Sequence, residues 1–225
     1  MPLYRQLRPL TLEESDARFA NSERRVGACL YRTECPTCQE CKGLRVPVRD
    51  FRLSRSQRRV WKRCEGRFRV EFGRPSCTPE KLEMFRRHKI SRGLTAGEDP
   101  EDIHERSYSF WLVHSCMLSL EMRYYLEDRL VGIGLVDVGQ SSLSSVYYFF
   151  DPEPEIARLS PGVYSVLKEI ELARQTGREH VYLGLYVRDC QHLSYKMGYH
   201  PHEVSVRGVW GSPSESQPSL KVSTP

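Results

Sequence analysis

The clearest periodicity lies in the second half of the chain. In "LEMRYYLEDRLVGIGLVDV", Leu120 to Val138, two largely apolar runs flank Glu127–Asp128, and that two-residue break predicts a β-hairpin turning there. "LSSVYYFF", residues 143–150, predicts a third strand, ended by Asp151–Pro152. The period then changes. Val163, Val166, Leu167 and Ile170 recur at helical spacing, with Ser160 at the N-cap, Pro161 at the first helical position and Gly177 just past the end. "VYLGLYV", residues 181–187, predicts a buried strand, "CQHLSYKMG" a short helix, and a last strand follows Pro201. The order β-β-β-α-β-α-β defines an α/β (α+β) fold: a mixed sheet flanked by helices.

Earlier in the chain, Leu44, Val46 and Val48, extending to Phe51, alternate with Arg45 and Arg49 as a short strand. "SRSQRRVWKRC" predicts a helix with Ser54 as N-cap. On it Arg55, Arg59, Lys62 and Arg63 fall three and four apart and form one basic stripe. Charge sharpens this picture. The net charge is only +5, yet Arg49 to Arg63 holds seven basic residues against the single acid Asp50, while residues 97–105 are strongly acidic. Such a block suits either the phosphates of a folded RNA or a solvated helix face. Trp61 is placed either to stack on a base or to pack inward, and packing is the commoner fate of a lone aromatic.

Composition limits the class. With 225 residues, 39% of them hydrophobic, and a mean hydropathy of -0.54, the chain is long enough to bury a real core. No apolar run reaches the roughly 18 residues of a membrane helix, and no secretory h-region opens the chain. A monomeric cytoplasmic protein is expected. In that compartment the eight cysteines are thiols or metal ligands rather than disulfides. Cys35, Cys38 and Cys41 form C-x2-C-x2-C, whose thiolates can converge on zinc or an iron–sulfur cluster. A fourth ligand would come from Cys29, Cys64 or Cys77; one face of a helix is the other reading. No P-loop, GxGxxG, HExxH or GxSxG occurs, so no ATP site is expected.

Taken together, five blocks resemble one family in order and spacing. "YRTECPTCQECKGLRVPVRDFRLSRSQRRVWKR", "LVGIGLVDV" with "LSSVYYFFDP", "GVYSVLKEIELAR", "YLGLYV" and "SYKMGYHPHE" resemble the bacterial aspartate/glutamate leucyltransferases, relatives of the arginyl-tRNA–protein transferases. The likeness runs over roughly residues 4–203. The chain departs from that pattern where the family carries a leading C-x-Y-L motif, "YLGYWI" for "YLGLYV", and "SLG" for "SPG" at Ser160–Gly162.

The resemblance implies a GNAT-like acyltransferase core over residues 96–211 and a smaller N-terminal domain over 1–95 with the cysteine loop, while the polar composition of 212–225 predicts a disordered tail. It implies an aminoacyl-tRNA donor, leucyl before arginyl, and an acceptor protein beginning with Asp or Glu, which thereby gains an N-degron. An aminoacyl ester is already activated. The chemistry then needs a proton acceptor for the amine, donors for the oxyanion and leaving hydroxyl, and a cation for the acceptor's carboxylate. Asp137 and Asp151 are the expected acids. Tyr147, Tyr195 and His88 are the expected donors, and Arg45, Arg87 and Lys196 the acceptor cations. Arg55, Arg59, Lys62 and Arg63 would meet tRNA. Two other readings stand beside this one: a degenerate core that only binds RNA, and an acetyltransferase using acetyl-CoA. Pro161 tells against the second, because it removes an amide from the helix start that would hold a pyrophosphate.

Overall fold

The computed structural model describes residues 3–38, 40–95, 102–206 and 208–212. Its helices are α1 (Leu12–Ala20), α2 (Arg55–Cys64), α3 (Pro79–Ser91), α4 (Glu105–Tyr108), α5 (Pro154–Ala157), α6 (Pro161–Gln175) and α7 (Gln191–Ser194). Its strands are β1 (Leu3–Arg5), β2 (Arg24–Val26), β3 (Cys29–Tyr31), β4 (Lys42–Pro47), β5 (Phe68–Gly73), β6 (Ser119–Leu126), β7 (Arg129–Val138), β8 (Ser142–Phe150), β9 (His180–Tyr186), β10 (Glu203–Val206) and β11 (Val209–Gly211).

The hairpin forms where its pattern places it, with β6 and β7 joined through Glu127 at φ +56° and Asp128. Among the described residues, eight strands make one sheet in the order β11-β10-β4-β9-β8-β7-β6-β5. Every pairing is antiparallel except β8 with β9. A smaller sheet, β1-β3-β2, lies apart from it. Strands β4 and β5 precede the division expected at residues 95 and 96, yet both belong to the large sheet. Of the polar tail expected from residue 212, positions 213–225 lie outside the described residues, as does most of the acidic stretch at 97–105.

The core sits between the large sheet and α2 and α6. Leu44, Val46, Val136, Leu143, Val181 and Leu183 of the strands meet Val60, Leu167, Ile170 and Ala173 of the helices. A second cluster packs α3 through Met84 and Phe85 against Leu130, Ile133, Leu135 and Phe149. Helix α2 begins at a full capping box: Ser54 Oγ accepts from Gln57 N–H, and Gln57 Oε1 accepts from Ser54 N–H at 2.9 Å. Helix α6 begins differently. Ser160 occupies the left-handed region at φ +59° and its side chain caps nothing, so Pro161 alone sets the helical start. No helix among the described residues is long and apolar enough to cross a membrane.

Candidate active site

Strands β8 and β9 run parallel and pair only at Ser142, Leu143 and Ser144, opposite His180, Val181 and Tyr182. Beyond Ser144 they part. On its other side β8 bulges at Val146, where the register with β7 slips between Leu135 and Val136. The opening is a cleft of about 590 Å³ walled by Ser145 to Tyr148 of β8, Leu183 of β9 and the start of α6 from Ser160 to Val163. His88 and Arg92 from the end of α3, and His192, Tyr195 and Lys196 from the segment after β9, complete it.

Parting strands leave β8 carbonyls without a ladder partner, and Arg24 supplies one. Its guanidinium donates to Ser144 Oγ at 3.1 Å and to the carbonyl of Ser145 at 2.5 Å. Gly184, at φ +81°, makes room for it: a Cβ there would stand 2.8 Å from Arg24 Cζ. Because successive strand residues face opposite ways, Arg25 points elsewhere. Its Nε donates to both carboxylate oxygens of Asp137 at 2.8 Å. Strand β2 thus joins the small sheet to the floor of the cleft and to β7.

The expected site residues separate into two groups. His88, Tyr147, Tyr195 and Lys196 come together around the cleft. Burial pushes His88 down to about 4, and its Nδ1 sits 3.1 Å from the carbonyl oxygen of Phe150. Burial, reinforced by the charge of Arg24, brings Lys196 down to about 7; its Nζ donates to the carbonyl of Leu185 at 2.6 Å. Tyr147 also packs edge-on against Phe85, 5.8 Å between ring centroids. Asp137 and Asp151 stand away from the cleft wall, each held by arginine. Asp137 is buried against Arg25 and accepts from Ser119. Asp151 is bound by Arg87 at 2.9 Å and by Arg129. Arg87 is therefore paired already, and so is Arg45, which pairs with Glu203 at 2.6 Å, donates to Tyr182 Oη and lies over the Trp210 ring. The strand register explains the Arg45 pair, since β4 sits between β9 and β10 with Arg45 beside both Tyr182 and Glu203.

Arg24, His192 and three more cleft residues stand outside that expectation. Arg92 lines the mouth without an ion pair among the described residues. Ser145 and Glu169 form the floor. Glu169 is wholly buried, and burial pushes its carboxyl up to about 8 against a hydrogen bond from Ser145 and the charge of Arg24. Its signal in the sequence was an acid three residues after Val166, on the edge of the apolar stripe of α6.

On α2, Arg55, Arg59, Lys62 and Arg63 are all exposed, opposite the buried Gln57, Val60 and Cys64. Arg63 donates to the carbonyl of Arg158 at 2.6 Å. Trp61 packs on Tyr164 at 5.7 Å, the inward fate. Beside this helix Arg49, Arg52, Arg58 and Arg174 surround a hollow of about 530 Å³. Cys35, Cys38 and Cys41 are exposed free thiols. Among the described residues no three His, Cys, Asp or Glu side chains gather closely enough to hold an ion. Gln39, inside that loop, lies outside the described residues.

A meander of antiparallel strands leads through a crossover helix to a parallel, diverging partner, and the cleft lies at the divergence of this mixed, helix-flanked α/β sheet. Residues 80–206 match the family model described as the C terminus of arginine-tRNA-protein transferase, and residues 5–59 match its N terminus. The chain belongs to that family. Among its relatives is an aspartate/glutamate leucyltransferase of Acinetobacter baumannii, 33% identical over 83% of this chain and 68% of the relative. Another, of the same description, from Chromobacterium violaceum, is 35% identical over 83% of this chain and 75% of the relative. A solved structure, L-PGS from Bacillus licheniformis, overlaps 67% of this chain and 46% of its own at 12% identity and a TM-score of 0.44.

Proposed function

We propose that this chain transfers an amino acid, leucine first, from aminoacyl-tRNA to the α-amine of a protein that begins with Asp or Glu. The observation that carries the reading is the cation-walled cleft where β8 and β9 part, in a chain of this family. Leucine is preferred to arginine because the curated relatives are described as leucyltransferases.

In the reaction the acceptor's nitrogen attacks the ester carbonyl. A C–N bond forms, the bond to the ribose oxygen breaks, the amine loses a proton and the ribose oxygen gains one. Lys196, brought by burial to about 7, exchanges protons near neutrality and faces the cleft, which suits it to supply the ribose oxygen. Tyr195, beside it on the cleft wall, offers a hydroxyl to the oxyanion. The acceptor's carboxylate needs a cation that no other acid holds. Arg45 and Arg87 are both paired and Lys196 is given to the proton, so that part falls to Arg92 at the mouth, which has no ion pair among the described residues.

The test is transfer of labelled leucine and arginine, each on its own tRNA, to peptides beginning with Asp, Glu, Asn or Ala. Leucine is expected to reach Asp and Glu peptides and not Ala. Arg92→Ala should lower kcat/KM for Asp by about tenfold or more while leaving Asn nearly unchanged. An absence of product with either donor removes the reading, and undiminished Asp preference in Arg92→Ala removes that residue's role.

A further inference from the structure

The floor of the cleft holds one acid that the reaction above does not use. Glu169 has no exposed surface, lies on α6 and borders the cleft. Ser145 Oγ donates to its Oε1 at 3.3 Å. Its Oε2 is buried with no hydrogen-bond partner among the described residues. No cation stands within ion-pair distance of it there, because Arg24 is turned to the β8 carbonyls and Lys196 to Leu185. A buried carboxyl oxygen left without a partner in this way costs stability, and such atoms in a cleft wall mark where a ligand's polar group belongs.

The remaining charges restrict the ligand. Arg24 from β2, His88 and Arg92 from α3 and its end, and His192 and Lys196 from the segment after β9 are all bases. Tyr124 of β6, Tyr148 of β8, and Tyr195 and Tyr199 also feel the Glu169 charge or lie close to it. An anion or a neutral carbonyl finds partners at many points of this wall. Among the described residues of this wall, a cation finds a carboxylate only at Glu169.

We propose that Glu169 is the α-ammonium subsite of the cleft, its Oε2 accepting an N–H from a primary α-ammonium group. This rests on the aminoacyl-transfer reading, in which two such groups enter: that of the aminoacyl donor and that of the acceptor protein. Seating the group forms no covalent bond to Glu169; if it is the acceptor's, the ammonium gives up a proton before its nitrogen attacks the ester. Burial keeps the empty site's carboxyl protonated at neutral pH, since it is pushed up to about 8. Seating an ammonium ionises it, and one proton leaves for solvent. Lys196 titrates in the same range and would add to that release, so the two must be separated by substitution.

The experiment uses the whole chain and two pairs of stable probes in titration calorimetry. The donor pair is 3′-leucylamido-3′-deoxyadenosine and its N-acetyl form. The acceptor pair is Asp-Ala amide and its N-acetyl form. At least one free amine is expected to bind about tenfold or more tightly than its acetylated twin, and which pair shows it identifies whose ammonium is held. Binding heat at pH 7 should vary with the ionisation enthalpy of the buffer, as proton release requires. In Glu169→Gln, which keeps size and the bond from Ser145, the preference for the free amine and most of the proton release should vanish while the acetylated probes bind as before. A preference unchanged in Glu169→Gln overturns the proposal, as does a wild-type protein that favours neither amine or releases no proton. The last two need no variant and so survive one that does not fold. Because the titrations involve no chemistry, they stand apart from a failure of amino-acid transfer, which would show as missing labelled product.

Discussion

His88 is a histidine that folding keeps neutral. It is 5% exposed, and burial brings it from 6.5 down to about 4. Between those values the unfolded chain binds the extra proton, so this group's contribution to stability is present above about 6.5 and is lost as pH falls towards 4. Glu169 works with the opposite sign: its raised carboxyl holds a proton in the fold from 4.5 to about 8, and stability from that group falls as pH rises through the window. The two partly cancel in the wild-type protein near pH 5 to 6. His88→Gln removes one of them. Urea unfolding of the two proteins from pH 6.5 to 4 should show the wild type losing roughly 3 kcal/mol more than the variant. Parallel curves would mean that folding does not lower the affinity of His88 for its proton.

At the scale of elements, β9 and β2 make the cleft jointly. β9 diverges from β8, and β2 inserts Arg24 into the gap at a point where a Cβ on residue 184 would crowd its guanidinium. Gly184→Ala faces two costs: a left-handed φ and a Cβ 2.8 Å from the guanidinium carbon. Gly177, at φ +69° with nothing within 4 Å, is the natural control, because alanine there meets only the backbone cost. Gly177→Ala should lose about 1 kcal/mol, and Gly184→Ala about 2 to 4 kcal/mol together with most transfer activity. Equal losses in denaturant melts would show that Arg24 moves aside freely. The π-helical turn Ser109–Val113 after α4 stands close to the same junction, since Arg25 also donates to the carbonyl of His114 at 3.1 Å.

The molecule as a whole separates a cation-rich cleft from a cationic outer face on α2. Both suit one polyanion whose 3′ end must enter while its helix stays outside. If phosphates lie along α2, replacing Arg55, Arg59, Lys62 and Arg63 by Ala should weaken tRNA binding and reduce the slope of log K against log salt by about three to four units. Arg63 also holds the Arg158 carbonyl, so melting of the variant is followed in parallel. A slope unchanged in a folded variant would move the contact to the neighbouring hollow of Arg49, Arg52, Arg58 and Arg174, which the same titration tests next.

Local pattern was enough for the meander β6-β7-β8, the helix α6, the strand β9 and the capped helix α2, because each depends on periodicity, a cap or a turn within a few residues. The family was legible too, in blocks whose order survives without any knowledge of contacts. Pairing partners were not. Asp137, Asp151, Arg45 and Arg87 are charged residues at strand ends and helix faces, and nothing local says that Arg25, Arg129, Glu203 and Asp151 would meet them. Burial decides that, since a charge withdrawn from water must take whatever opposite charge the fold brings near. For the same reason Glu169 read as one more polar position of a helix. Only the packing of α6 across β8, and the parting of β8 from β9 above Ser144, turned it into a buried carboxyl at the bottom of a cleft, with one oxygen unpartnered among the described residues.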